Sequence, residues 1–79
     1  MKNIQVLGTG CANCRNTIAL IEEVAKEIGC SIALEKIEDL PRIIQLGVLS
    51  TPGVIIDGKI VHSGGVPNRT QVLNWLMAG

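Results

Sequence analysis

Two short apolar segments with one long amphipathic segment between them constrain this chain more than any other feature. Ile4 to Leu7 is apolar and stops at Gly8, which reads as a buried strand. Beyond it Ile18, Ile21, Ala25 and Ile28 recur at helical spacing, with Leu20 and Val24 alongside and Glu22, Glu23, Lys26 and Glu27 on the other side. This spacing predicts an amphipathic helix from about Ala12 to Ile28, closed by Gly29, with the apolar stripe as its core face. Ser31 to Ile37 reads as a second strand. Strand, helix and strand at this length imply a parallel pair joined by a right-handed crossover.

The rest of the chain extends that unit. Asp39 is placed to cap a short second helix containing Ile43, Ile44 and Leu46, with Pro41 tolerated in its first turn and Gly47 at its end. Gly53 to Ile56 and Lys59 to His62 read as strands, and Asp57-Gly58 between them is a hairpin signal. Gly64-Gly65 breaks the chain. Asn68, with Gln71 three residues on, predicts a capped last helix whose buried side carries Val72, Leu73, Trp75 and Leu76. The predicted order is β-α-β-α-β-β-α: an α/β fold, a four-stranded mixed sheet with helices on both faces. With 79 residues, no repeat and no linker, residues 1–79 are expected to form one domain. Such a chain buries only about 60% of the surface it exposes unfolded. Trp75 is its single aromatic, so its core must be built from Ile, Leu and Val.

Composition narrows the function. Seven basic and seven acidic residues cancel, which leaves no basic stripe to neutralise phosphates, and a lone aromatic offers no stacking platform. We therefore expect no nucleic-acid partner. The apolar runs are too short to span a bilayer, so no membrane role is expected. Met1-Lys2-Asn3 leads into a strand without a signal-peptide apolar region, which points to the cytoplasm. There, three cysteines fit catalysis or metal binding better than structural stapling.

Two of those cysteines stand at the first strand–helix junction, in Gly8-Thr9-Gly10-Cys11-Ala12-Asn13-Cys14. Cysteines at this spacing can close a small disulfide ring or share a soft metal ion. The first backbone N–H groups of a helix lack partners and its dipoles add, so negative charge is favoured there. A thiol in that place ionises more readily, and the thiolate is the reactive form.

With these elements in order, the chain resembles the thioredoxin-like superfamily, whose minimal core has the same order and a Cys-X-X-Cys at the same junction. Thr51-Pro52 before the hairpin matches the family loop whose proline is cis and which faces the active cysteines. Gly64-Gly65 matches the place where the family keeps its backbone bare beside the substrate groove. The likeness covers nearly the whole chain. It is nearest to the very short thioredoxin-like redox proteins of archaea and bacteria, which lack the extra N-terminal strand and helix of ordinary thioredoxin. Four positions depart from the usual pattern. Gly10 stands where thioredoxins carry Trp, Ala12-Asn13 replaces Gly-Pro, and Gln5 replaces a buried acid six residues before the first cysteine. These departures bear on the redox potential and the proton route, not on the thiol–disulfide chemistry.

The resemblance implies a small disulfide reductase. Cys11 attacks a target disulfide and Cys14 resolves the mixed disulfide, while Gly10, Thr51, Pro52, Gly64 and Gly65 bind the substrate. It implies no bound cofactor beyond a reversible Cys11–Cys14 disulfide. The implied partners are disulfide-containing target proteins and an electron donor of the thioredoxin-reductase type. This chain itself is expected to act as a monomer.

Other readings remain. The cysteine loop also resembles that of heavy-metal-associated domains, which carry copper(I), although those have Met where this chain has Thr9 and follow a β-α-β-β-α-β order. A glutaredoxin-like use of glutathione, or of a shared iron–sulfur cluster, is a variant within the main fold. Cys30, sixteen residues after Cys14, lies more than roughly 20 Å from the pair across the helix at ~1.5 Å per residue and reads as a small apolar residue, with an intermolecular disulfide as the alternative if it is exposed. His62 reads as a half-exposed strand residue sharing a face with Ile60, and Arg15 as a solvated helix residue. A zinc site from Cys11, Cys14, Cys30 and His62 is scattered by the helix.

Overall fold

The computed structural model of the chain describes residues 1–9 and 12–78. The elements are β1 (Lys2–Leu7), α1 (Ala12–Ile28), β2 (Ile32–Ile37), α2 (Leu40–Gln45), β3 (Gly53–Ile56), β4 (Lys59–Ser63) and α3 (Arg69–Met77). They form one four-stranded sheet in the order β2-β1-β3-β4. β1 is central: it runs parallel to β2 from Lys2↔Ile32 to Leu7↔Ile37 and antiparallel to β3 from Ile4↔Ile56 to Leu7↔Gly53. The expected α/β order is therefore the observed one. The helix between β2 and β3 sets it apart from the β-α-β-β-α-β order of heavy-metal-associated domains.

Strand alternation divides the apolar side chains between two cores. Ile4 and Val6 of β1, with Val54 and Ile56 of β3, meet Ile21, Val24 and Ala25 of α1 and Val72 and Leu76 of α3. On the opposite face Leu7, Ile37 and Ile55 pack with Ile43 of α2 and Val48. Each such buried Val, Leu or Ile stabilises the fold by roughly 1.5–3 kcal/mol relative to exposure. No described helix is long and apolar enough to cross a membrane.

α1 has the predicted bounds, but its buried face is set differently. Cys14, Thr17, Ile21, Val24 and Ala25 are buried, Ile18 is half-buried, and Ile28 is 40% exposed. Seventeen helical residues reach about 25 Å, whereas a six-residue strand reaches about 20 Å, so the last turn overhangs the sheet. Thr17 is buried without penalty because its Oγ1 donates to the Asn13 carbonyl at 2.7 Å.

The ends of the other helices differ instructively. Asp39 occupies the N-cap of α2 in extended conformation, yet its side chain makes no capping hydrogen bond. Ile44, on the same short helix, is 58% exposed. In α3 the expected reciprocal cap is complete: the Gln71 N–H donates to Asn68 Oδ1 at 2.8 Å, and the Asn68 N–H donates to Gln71 Oε1 at 3.0 Å. Arg69 then pairs with Glu23 and Glu27 across to α1.

The hairpin turns through Asp57 (φ 49°) and Gly58 (φ 85°), both positive as a type I′ turn requires. Its register shifts between Val54 and Ile55: Val54 faces His62, while Ile55 faces Ile60. Val61 is the extra residue of a β-bulge. Residues opposite each other in a ladder share a face, so His62 lies with Val54 on the α1/α3 side and Ile60 with Ile55 on the α2 side. The reading that put His62 and Ile60 on one face is corrected by that bulge. His62 is half-buried, as expected.

The two caps make a paired prediction. Asn68→Ala should cost about 1 kcal/mol and lower Tm by about 4–8 °C. Asp39→Ala should leave Tm nearly unchanged. Thermal unfolding followed by circular dichroism measures both.

Candidate active site

Cys14 is the third residue of α1 and is only 2% exposed. What lets a helix side chain approach the end of β1 so closely is Gly8. The Gly8 N–H donates to the Ile37 carbonyl at 2.9 Å, which continues the parallel ladder one residue past Leu7. A Cβ at Gly8 would overlap Cys14 Sγ, and would lie 3.3 Å from Cys14 Cβ and 3.8 Å from Thr51 Cβ. Gly8 is thus the point at which the Cys14 thiol and the Thr51-Pro52 loop converge. Sequence reasoning used this glycine only as a strand terminator. The available signal was its place between a strand and a Cys-X-X-Cys, where a bare backbone can receive a thiol.

Cys11 and Gly10 lie outside the described residues. The first turn of α1 contains no acidic residue to oppose its dipole, and Arg15 follows Cys14 on the exposed side.

The Thr51–Pro52 peptide bond is cis. Thr51 is exposed and Pro52 buried. The Gly64 N–H donates to the Pro52 carbonyl at 3.0 Å, and Ser63 Oγ donates to the Ser50 carbonyl at 3.2 Å. These bonds hold the turn after β4 against the loop before β3. Gly64 has φ +85°, and a Cβ there would come within 3.2 Å of Ser50 Cβ, so both conformation and space favour glycine. Gly65 is exposed, and its carbonyl accepts from His62 Nε2 at 2.9 Å. Of the expected site residues, Cys14, Thr51, Pro52 and Gly64 are joined by these contacts, with Gly65 next in the chain.

The remaining candidates lie elsewhere. Cys30 is half-buried against the α1/α3 core. Gln5 is half-buried on the α2 side of the sheet, where its Nε2 donates to Glu35 Oε1 at 3.2 Å and Arg42 Nη1 stands 3.7 Å from Glu35 Oε2. Among the described residues no cluster of three or more His, Cys, Asp or Glu side chains is close enough to hold a metal ion.

A central strand running into a helix that carries the second cysteine of a Cys-X-X-Cys, beside a Thr-Pro loop that opens an antiparallel hairpin, defines a thioredoxin-like α/β protein. Comparison with known proteins agrees. The family described as Thioredoxin domain matches residues 2–77. A thioredoxin of Methanothermobacter thermautotrophicus is 35% identical over 72 residues, 91% of this chain and 94% of the relative. A thioredoxin of Methanocaldococcus jannaschii is 32% identical over 69 residues, 87% of this chain and 79% of the relative. The chain belongs to the thioredoxin domain family.

The contact at Gly8 generates a prediction. Gly8→Ala should cost roughly 1–3 kcal/mol by overpacking against Cys14. In a Cys14→Ala background, where the overlapping sulfur is gone, the same substitution should cost measurably less. Denaturant unfolding of the four proteins of this double-mutant cycle gives the coupling.

Proposed function

We propose that this protein is a thiol–disulfide oxidoreductase that reduces disulfides in target proteins through Cys11 and Cys14. The observation that carries the reading is the seating of Cys14 in the first turn of α1, beneath Gly8 and beside the Thr51-Pro52 loop. Membership of the thioredoxin family and similarity to proteins named thioredoxin support it.

The Cys11 thiolate attacks one sulfur of the target disulfide. A Cys11–target bond forms, and the other target sulfur leaves as a thiolate that takes up a proton. Cys14, deprotonated, then attacks Cys11 Sγ. The Cys11–Cys14 disulfide closes and the second target sulfur departs as a thiol. Two electrons have passed from the cysteine pair to the target. A reductase of the thioredoxin-reductase type returns them, and the cycle needs no bound cofactor.

The residues that bind the target segment in this reading are Gly10, Thr51, Pro52, Gly64 and Gly65. Proline lacks a backbone donor, and the Thr51 main chain pairs with an extended target segment in the manner of an added strand. The glycine pair lets that segment approach closely. Residues 1–79 work as one domain, as a monomer, in the cytoplasm.

Cys11→Ser should reduce protein-disulfide turnover to the uncatalysed background. Cys14→Ser should retain the first attack and accumulate a mixed disulfide with the target, seen as an adduct in intact-mass spectra and removed by dithiothreitol. Full activity in Cys11→Ser protein would refute the assignment. A redox titration of metal-free protein, read by mass after thiol alkylation, should give a single two-electron transition confined to Cys11 and Cys14.

A further inference from the structure

If Gly64 and Gly65 form one wall of the substrate groove, that wall is made of the two residues with the least intrinsic conformational restraint. Something outside the turn has to fix it. One anchor is the bond from the Gly64 N–H to the Pro52 carbonyl at 3.0 Å. The other is the bond from His62 Nε2 to the Gly65 carbonyl at 2.9 Å. A carbonyl oxygen can only accept, so Nε2 carries the proton.

His62 reaches this position through the bulge at Val61, which sets it opposite Val54 on the α1/α3 side. There its ring lies against that of Trp75, with centroids 5.6 Å apart and planes at 48°. An aromatic contact on one side of the imidazole and a hydrogen bond at its tip leave the side chain little freedom. The Gly65–Val66 peptide plane is fixed from the α3 side, while the Gly64 N–H is held from the Pro52 side.

We infer that His62, through Trp75 behind it and the Gly65 carbonyl ahead of it, is a positioning residue that holds the Gly64–Gly65 turn in the shape that accepts an extended protein segment. The inference rests on the proposed oxidoreductase reading. It assigns His62 no part in proton transfer or bond exchange. The effect should therefore fall on substrates that lie along the turn and spare substrates too small to reach it.

The test compares wild type, His62→Leu and His62→Gln. Leu keeps an apolar contact for Trp75 but cannot donate, whereas the Gln amide can donate to the Gly65 carbonyl. For reduction of insulin, His62→Leu should raise KM about fivefold, the size of one net hydrogen bond, with kcat unchanged. His62→Gln should recover most of that loss. A small aryl disulfide should be reduced equally by all three proteins. Hydrogen exchange at the Gly64 amide reads the same geometry without turnover: it should quicken in His62→Leu and slow again in His62→Gln.

Wild-type KM and wild-type exchange in His62→Leu would overturn the inference, as would equal losses on both disulfides. A wild-type protein that reduces neither disulfide would overturn the parent reading instead. The exchange data tell the two failures apart.

Discussion

The site depends on a missing side chain at the end of the central strand. Gly8 continues the β1–β2 ladder through its N–H while offering no Cβ, and Cys14 Sγ occupies the space that a Cβ would need. Everything around the thiol follows from that approach. α1 is brought against the sheet at its N-terminal end, where the helix dipole favours negative charge. Thr51 Cβ lies near the same vacant Cβ position, so the loop before β3 and the first turn of α1 become neighbours. The hydrogen bond from Gly64 to Pro52 then draws in the turn after β4. Segments from three parts of the chain are assembled around one backbone position, held by main-chain and side-chain bonds alike.

The two faces of the sheet are covered unequally, which explains the unusual residue at position 5. α1 and α3 together cover one face with Ile21, Val24, Ala25, Val72 and Leu76. The other face has only α2, six residues long, which reaches Leu7, Ile37 and Ile55. Beyond its reach the sheet carries Asn3, Gln5, Ala33, Glu35 and Asp57 around an open polar depression. Gln5 therefore meets a hydrated neighbourhood shared with Glu35 and Arg42 rather than a closed core. An acid in that half-buried setting would meet only part of the desolvation that raises a carboxyl pKa.

How much of this was legible in the sequence depends on the range of the interactions. The bounds of α1, the Asp57-Gly58 turn and the Asn68/Gln71 cap were all read correctly, because each is decided by residues within a few positions of one another. Ile28 was misassigned to the core because periodicity describes the angle around a helix and not how far the sheet extends beneath it. The cap at Asp39 failed because residue type licenses a capping bond without orienting the side chain. Gly8 was legible only in part: its place before a Cys-X-X-Cys was a signal, but its contact with Cys14 depends on how α1 docks on the sheet. The contact of His62 with Trp75 joins distant elements through a bulge and leaves no local pattern.

The bulge in β4 shows how a single residue can serve both folding and the site. β4 is an edge strand, with one side of its backbone open to another chain. Edges of this kind invite intermolecular pairing unless they are interrupted or charged. Val61 interrupts the ladder between Val54 and Ile55, and Lys59 places a charge at the start of the strand. The same insertion exchanges the faces of the residues that follow it, carrying His62 to the side where α3 presents Trp75. A regular strand would have kept His62 with Ile60 over α2, on the side away from Trp75. The residue that blunts the edge therefore also decides which side chain supports the glycine turn. This couples β4's irregularity to the glycine turn that follows it rather than leaving it a defect of the sheet.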